Sequence, residues 1–120
     1  MDKSVLIVDD QKGIRFLLEE VIRSEGYRVS SCQDGQSAIK SIENQPPDLL
    51  IIDYRLPMMN GGKVIAHLEA QGYQIPTIVM SGLVDEIKPK IEGFNSVKGY
   101  FSKPFNILEA KNQVNQLLQD

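Results

Sequence analysis

Apolar residues along the chain alternate between two spacings, short unbroken runs and stripes at helical intervals. Val5-Leu6-Ile7-Val8 contains no polar residue, the mark of a strand buried on both faces of a sheet. Ile14, Leu17, Leu18, Val21 and Ile22 then recur three and four apart, which predicts a helix, with Gly26 placed to end it as a C-cap residue. Arg28 to Cys32 reads as a short edge strand. Ala38, Ile39 and Ile42 predict a second helix, stopped ahead of Pro46-Pro47 because proline disfavours helix in the residue before it. Leu49 to Ile52 is a further apolar strand, and Val64, Ile65 and Leu68 mark a helix closing near Gly72. Ile78-Val79-Met80 and Gly99 to Phe101 predict two more strands, and Ile107, Ala110, Val114, Leu117 and Leu118 form the final stripe. A fourth helix belongs after Ser81, but Pro89 falls inside it, where proline costs about 3 kcal/mol. Proline is tolerated in a first turn, so this helix is expected to start late, near Lys88, or to be distorted, with Gly93 ending it after one or two turns.

Strands alternating with helices call for an α/β fold of parallel strands, right-handed crossovers and helices on both faces. In such sheets ligands sit beyond the carboxyl ends of the strands, where strand order reverses. The chemically expressive residues fall at those ends. Asp9 and Asp10 follow the first run, Asp53 the third and Ser81 the fourth, and Lys103 lies just beyond the fifth. Taken singly each has an ordinary explanation: Asp10 as a helix N-cap, Asp53 as a turn residue, Ser81 as a loop hydroxyl, Lys103 as a solvated lysine. Together they converge, because neighbouring strands are only about 4.8 Å apart. Three crowded carboxylates repel unless a cation intervenes, and a hard divalent ion with oxygen ligands suits them. No histidine or cysteine belongs to the set, which argues against zinc or copper. A lysine and a hydroxyl opposite the carboxylates fit the remaining oxygens of a phosphoryl group. The residues therefore point to a Mg²⁺-dependent phosphoryl site with a carboxylate nucleophile.

Composition narrows the setting. The chain has 120 residues, 42% hydrophobic and 24% charged, with a net charge of −3, as expected of one globular domain over residues 1–120. Its apolar runs are far shorter than the ~20 residues of a membrane-spanning helix, and no signal-peptide pattern opens it. The single cysteine, Cys32, cannot form an internal disulfide, in keeping with a reducing cytoplasm. The acidic balance offers no footprint for nucleic acid.

The ordered set Val8-Asp9-Asp10, Asp53, Leu56-Pro57-Met58-Met59-Asn60-Gly61, Met80-Ser81-Gly82 and Tyr100-Phe101-Ser102-Lys103-Pro104-Phe105 resembles the response-regulator receiver domains of two-component signalling. The resemblance covers essentially the whole chain. The stretch Ile7-Val8-Asp9-Asp10-Gln11, Gly13-Ile14-Arg15, Leu17-Leu18, Glu20-Val21 and Glu25-Gly26-Tyr27 is similar in particular to the single-domain receiver of the sporulation phosphorelay. The resemblance implies a flavodoxin-like, doubly wound sheet of five parallel strands in the order 2-1-3-4-5, with five helices. It implies that Asp53 accepts a phosphoryl group from a phosphohistidine, carried by a sensor histidine kinase or a histidine phosphotransfer protein. Asp10 and Asp53 would bind Mg²⁺ directly, the Arg55 carbonyl would be a third ligand, and Asp9 would act through a bound water. Lys103 and Ser81 would each meet a phosphoryl oxygen, a cis Lys103-Pro104 bond would place the lysine, and Tyr100 would be the switch aromatic. Gln11, Gly13, Ile14 and Leu17 would contact a histidine-bearing helical bundle, although spacing alone favours a core place for Ile14, while Leu17 lies at the edge of the apolar arc, where partial exposure is expected.

By the same resemblance the chain is no enzyme acting on other molecules. It would be a phosphoacceptor, monomeric or weakly dimeric, that catalyses its own phosphorylation and dephosphorylation. Output would pass to a downstream protein, by contact or by onward transfer. Some positions depart from the pattern. Asn60 stands where Asp is frequent, Gly61-Gly62 is expected to loosen the start of the third helix, and Ser81 replaces the commoner threonine. Arg55 is expected in solvent, as are His67 and Phe16, while Met58-Met59 lies in the loop at the site's rim. A flavin module is excluded because Asp9-Asp10 would repel the phosphate. An aspartate-nucleophile hydrolase is excluded because 120 residues leave no cap domain. A degenerate receiver that only binds protein is the alternative, and the complete Asp9, Asp10, Asp53, Ser81 and Lys103 set weighs against it.

Overall fold

The computed structural model describes residues 2–119, in which strands and helices alternate. In chain order they are β1 (Ser4–Val8), α1 (Lys12–Arg23), β2 (Arg28–Cys32), α2 (Gly35–Asn44), β3 (Leu49–Asp53), α3 (Gly61–Ala70), β4 (Thr77–Ser81), α4 (Val84–Ile91), β5 (Val97–Ser102) and α5 (Ile107–Leu118). The sheet has five strands in the order β2-β1-β3-β4-β5, all pairs parallel. Order reverses between β1 and β3, where Val8 pairs with Ile52, so the carboxyl ends of these strands flank the crevice.

Alternation within each buried strand builds two cores. Leu6, Val8, Leu50, Ile52 and Val79 point to the face covered by Ala38, Ile39 and Ile42 of α2, Val64, Ile65 and Leu68 of α3, and Ile87 and Ile91 of α4. Val5, Ile7, Leu49, Ile51, Ile78 and Met80 point the other way, against Leu18 and Ile22 of α1 and Ala110, Val114 and Leu118 of α5. Each such side chain contributes roughly 1.5–3 kcal/mol on burial, which is why the unbroken runs settle in the central strands. β2, with only two half-buried apolar residues in Val29 and Cys32, takes the edge.

Three local expectations are corrected. α4 begins at Val84, not near Lys88, and runs through Pro89 to Ile91. Ile87 and Ile91, four apart, are both buried against the sheet, and that packing outweighs the amide lost at Pro89. α1 ends at Arg23 with Ser24 as its cap, and Gly26 (φ 96°) lies two residues farther on, donating its N–H to the Arg23 carbonyl. Ile107, counted in the last apolar stripe, is exposed at the start of α5.

Candidate functional site

The acidic residues arrive from two strand ends. Asp53 is the last residue of β3 and is nearly buried, while Asp9 follows β1 and is fully buried. Asp10, one residue on, is exposed. One carboxylate oxygen from each of the three lies within 4.8 Å of the other two. Lys103, carried past β5 by a chain that turns at a cis Lys103-Pro104 bond, reaches into the group. Its Nζ donates to Asp9 Oδ2 at 2.8 Å and to Asp53 Oδ2 at 2.9 Å. The other oxygens are held by the main chain, Asp9 Oδ1 by the Gln11 N–H at 2.8 Å and Asp53 Oδ1 by the Arg55 N–H at 3.3 Å.

Burial pushes the Asp53 carboxyl above the ordinary aspartate value of 3.8, with Asp9 adding to the rise and Lys103 opposing it. Burial alone would lower the Lys103 ammonium, but hydrogen bonds and charge from Asp9 and Asp53 outweigh it and hold its pKa above 10.5. The lysine thus stays charged between two carboxylates.

An open cleft of about 470 Å³ lies over these groups, lined by Asp10, Gln11, Asp53, Arg55, Ser81, Gly82, Leu83 and Lys103. Ser81 ends β4 with its Oγ accepting the Leu83 N–H at 2.9 Å, which leaves its own O–H free to donate. Arg55 is exposed, as expected. The donors of the acidic group are all oxygens, and the exposed Asp10 opens it to the cleft, so the residues fit a hard cation such as Mg²⁺.

Other expected residues lie outside the cleft. Tyr100 is half-buried, packed against the core on the sheet face that α2, α3 and α4 cover, with Lys88 Nζ 5.4 Å from its ring centre. Burial and the nearby Glu92 raise its hydroxyl pKa. On α1, Gly13 is exposed, Ile14 is half-buried against α5's side of the sheet, and Leu17 is 39% exposed. Asp10 does not cap α1, because the cap is Gln11 with no side-chain bond. Met58 is exposed at φ 65°, whereas Met59 packs on the core. His67 and Phe16 are exposed.

Two features had no signal in residue spacing. Gly61 does not loosen α3: a Cβ there would stand 2.7 Å from the Asp53 carbonyl oxygen, and its N–H bonds the Tyr54 carbonyl at 2.7 Å. Bare backbone at Gly61 lets α3 start directly against the strand that carries Asp53, with Asn60 capping it through the Lys63 N–H. Arg15, on α1, donates from Nη1 to the Asp9 carbonyl at 2.8 Å.

Comparison with known proteins agrees with this geometry. The model of the response regulator receiver domain matches residues 5–115. The chain is 34% identical over 120 residues to sporulation initiation phosphotransferase F of Bacillus subtilis, covering 98% of this chain and 95% of that one. It is 32% identical to the alkaline phosphatase synthesis transcriptional regulatory protein PhoP of the same organism, of whose length it spans 50%. Among solved structures, the receiver domain of the sensor histidine kinase PA1611 from Pseudomonas aeruginosa, with magnesium coordinated in its active-site cleft, superimposes with a TM-score of 0.87. Identity there is 25%, over the full length of both chains. With its order 2-1-3-4-5 and its acidic crevice between β1 and β3, this chain belongs to the response regulator receiver domain family.

Proposed function

We propose that this domain accepts a phosphoryl group on Asp53 from a phosphohistidine and signals by protein contact or by passing the group onward. The observation that carries this reading is the placement of Asp53: a nearly buried carboxylate, ion-paired to Lys103, that lines an open cleft beside two further carboxylates. A carboxylate oxygen of Asp53 attacks phosphorus as the phosphorus–nitrogen bond breaks, and the electron pair leaves with the imidazole. Lys103 has three donors and spends two on Asp9 and Asp53, so one is left for an equatorial oxygen. Ser81 offers its O–H to another.

Asp10, Asp53 and the Arg55 carbonyl would hold Mg²⁺, with Asp9 behind them. When bound, the ion neutralises charge on the carboxylates and the phosphoryl oxygens. The magnesium seen in the PA1611 receiver supports this assignment. Gln11 at the cleft mouth, with Gly13, Ile14 and Leu17 on α1, is the proposed contact for a histidine kinase or phosphotransfer protein, and Tyr100 the proposed switch aromatic. Acetyl phosphate is expected to label the wild type only with Mg²⁺ present, and Asp53→Asn not at all. A wild type that takes no label from a verified donor would leave a protein-binding role alone.

A further inference from the structure

We propose that Arg15 is a positioning residue for the cation site: its guanidinium fixes the Asp9–Asp10 peptide and so aims the Asp10 carboxylate. The proposal rests on the reading of the acidic cluster as a Mg²⁺ site. Sheet pairing at the end of β1 stops at Val8, opposite Cys32 and Ile52. Beyond it, the Asp9 N–H still bonds the Cys32 carbonyl at 3.1 Å, while the Asp9 carbonyl takes its hydrogen bond from a side chain. Arg15 donates it at 2.8 Å. Helical side chains lean toward the amino end of their helix, so a residue one turn into α1 can reach back over it to a group six residues earlier.

The consequence follows from the planarity of the peptide group. The Asp9 C=O, the Asp10 N–H and both Cα atoms share one plane, so holding the carbonyl sets the direction in which Asp10 leaves. Asp9 needs no such help at its side chain, since Gln11 and Lys103 engage both oxygens. Asp10 is exposed and, among the described residues, no hydrogen bond holds its carboxylate, so the direction of its backbone is what places it. Among the described residues, Arg15 makes no ion pair with a carboxylate. Its charge therefore stands beside the acidic loop without occupying an oxygen that a cation needs. Partners that orient metal ligands from behind typically matter 10–100-fold in affinity.

A purely electrostatic role predicts the opposite sign, because removing a nearby positive charge would tighten binding of a divalent cation. The test is calorimetric titration of the full chain with Mg²⁺, in wild type and in R15M, R15Q and R15K. The two neutral variants guard against a folding failure in either, which thermal unfolding in EDTA would reveal. R15M and R15Q are expected to bind about ten-fold more weakly, with R15K, which keeps a donor and the charge, between them and wild type. Labelling by acetyl phosphate should then need about ten-fold more Mg²⁺ and recover at saturation. Neutral variants that bind as tightly as wild type, or more tightly, overturn the role of Arg15 while leaving the cation site intact. A wild type that does not bind Mg²⁺ overturns the site and the proposal together.

Discussion

Asp53, as the proposed phosphoryl acceptor, is held between opposing demands, because a nucleophile must be ionised at a position where burial disfavours charge. Its pKa is raised in the folded state, so below about 3.8 the protonated form adds its full share of stability. That share is lost as pH rises through the raised folded value. In EDTA, urea unfolding should therefore show Asp53→Asn gaining stability relative to wild type as pH climbs through this interval, and a constant difference would contradict it. Lys103 limits the cost, since its own raised pKa keeps it charged throughout the same range. That Asp9, Asp10, Asp53 and Lys103 gather at one end of the sheet was legible from their places at the ends of apolar runs. Their partners were not. That Lys103 bridges Asp9 and Asp53, or that Arg15 holds the Asp9 carbonyl, depends on contacts across 94, 50 and 6 residues that no local spacing encodes.

Among the elements, α3 and α4 show where pattern alone misleads. A glycine pair at a helix start reads as looseness, yet Gly61 is buried against the Asp53 carbonyl and the Tyr54 Cα, which lie 2.7 and 3.1 Å from where a Cβ would stand. Both are backbone and cannot move aside cheaply. Gly61→Ala is therefore expected to cost about 1–3 kcal/mol in urea unfolding and to slow labelling of Asp53. Gly13→Ala, with open space around the new methyl, is the control and should cost nothing. Pro89 misleads in the other direction. Its penalty is real in an isolated helix, but α4 is short and is held by Ile87 and Ile91 on the sheet, so tertiary contact decides the outcome. The central strands were legible for the same physical reason, because unbroken apolar runs have only one favourable place to go.

At the scale of the molecule, three carboxylates gathered at one end of the sheet set function against stability. Relieving the crowding with Asp10→Asn should raise stability in EDTA by about 0.5 kcal/mol, a modest gain since Asp10 is exposed. Mg²⁺ should reverse the order: at about 100-fold above its dissociation constant it stabilises wild type by roughly 2.7 kcal/mol, and the variant hardly at all. Thermal unfolding of both proteins with and without Mg²⁺ measures this, and an equal shift in the two would remove Asp10 from the site. The amino-acid sequence by itself determined the alternation of elements, the burial of the central strands and the residue types delivered to the strand ends. These follow from local periodicity and from the transfer of apolar side chains out of water, which act on each segment separately. Only the tertiary structure decided the Lys103 ion pairs, the bare contact at Gly61, the start of α4 and the grip of Arg15 on the acidic loop. Each of these depends on contacts between neighbouring elements, close in sequence for Arg15 and Gly61 and distant for Lys103, and their energy exists only once strands and helices have packed.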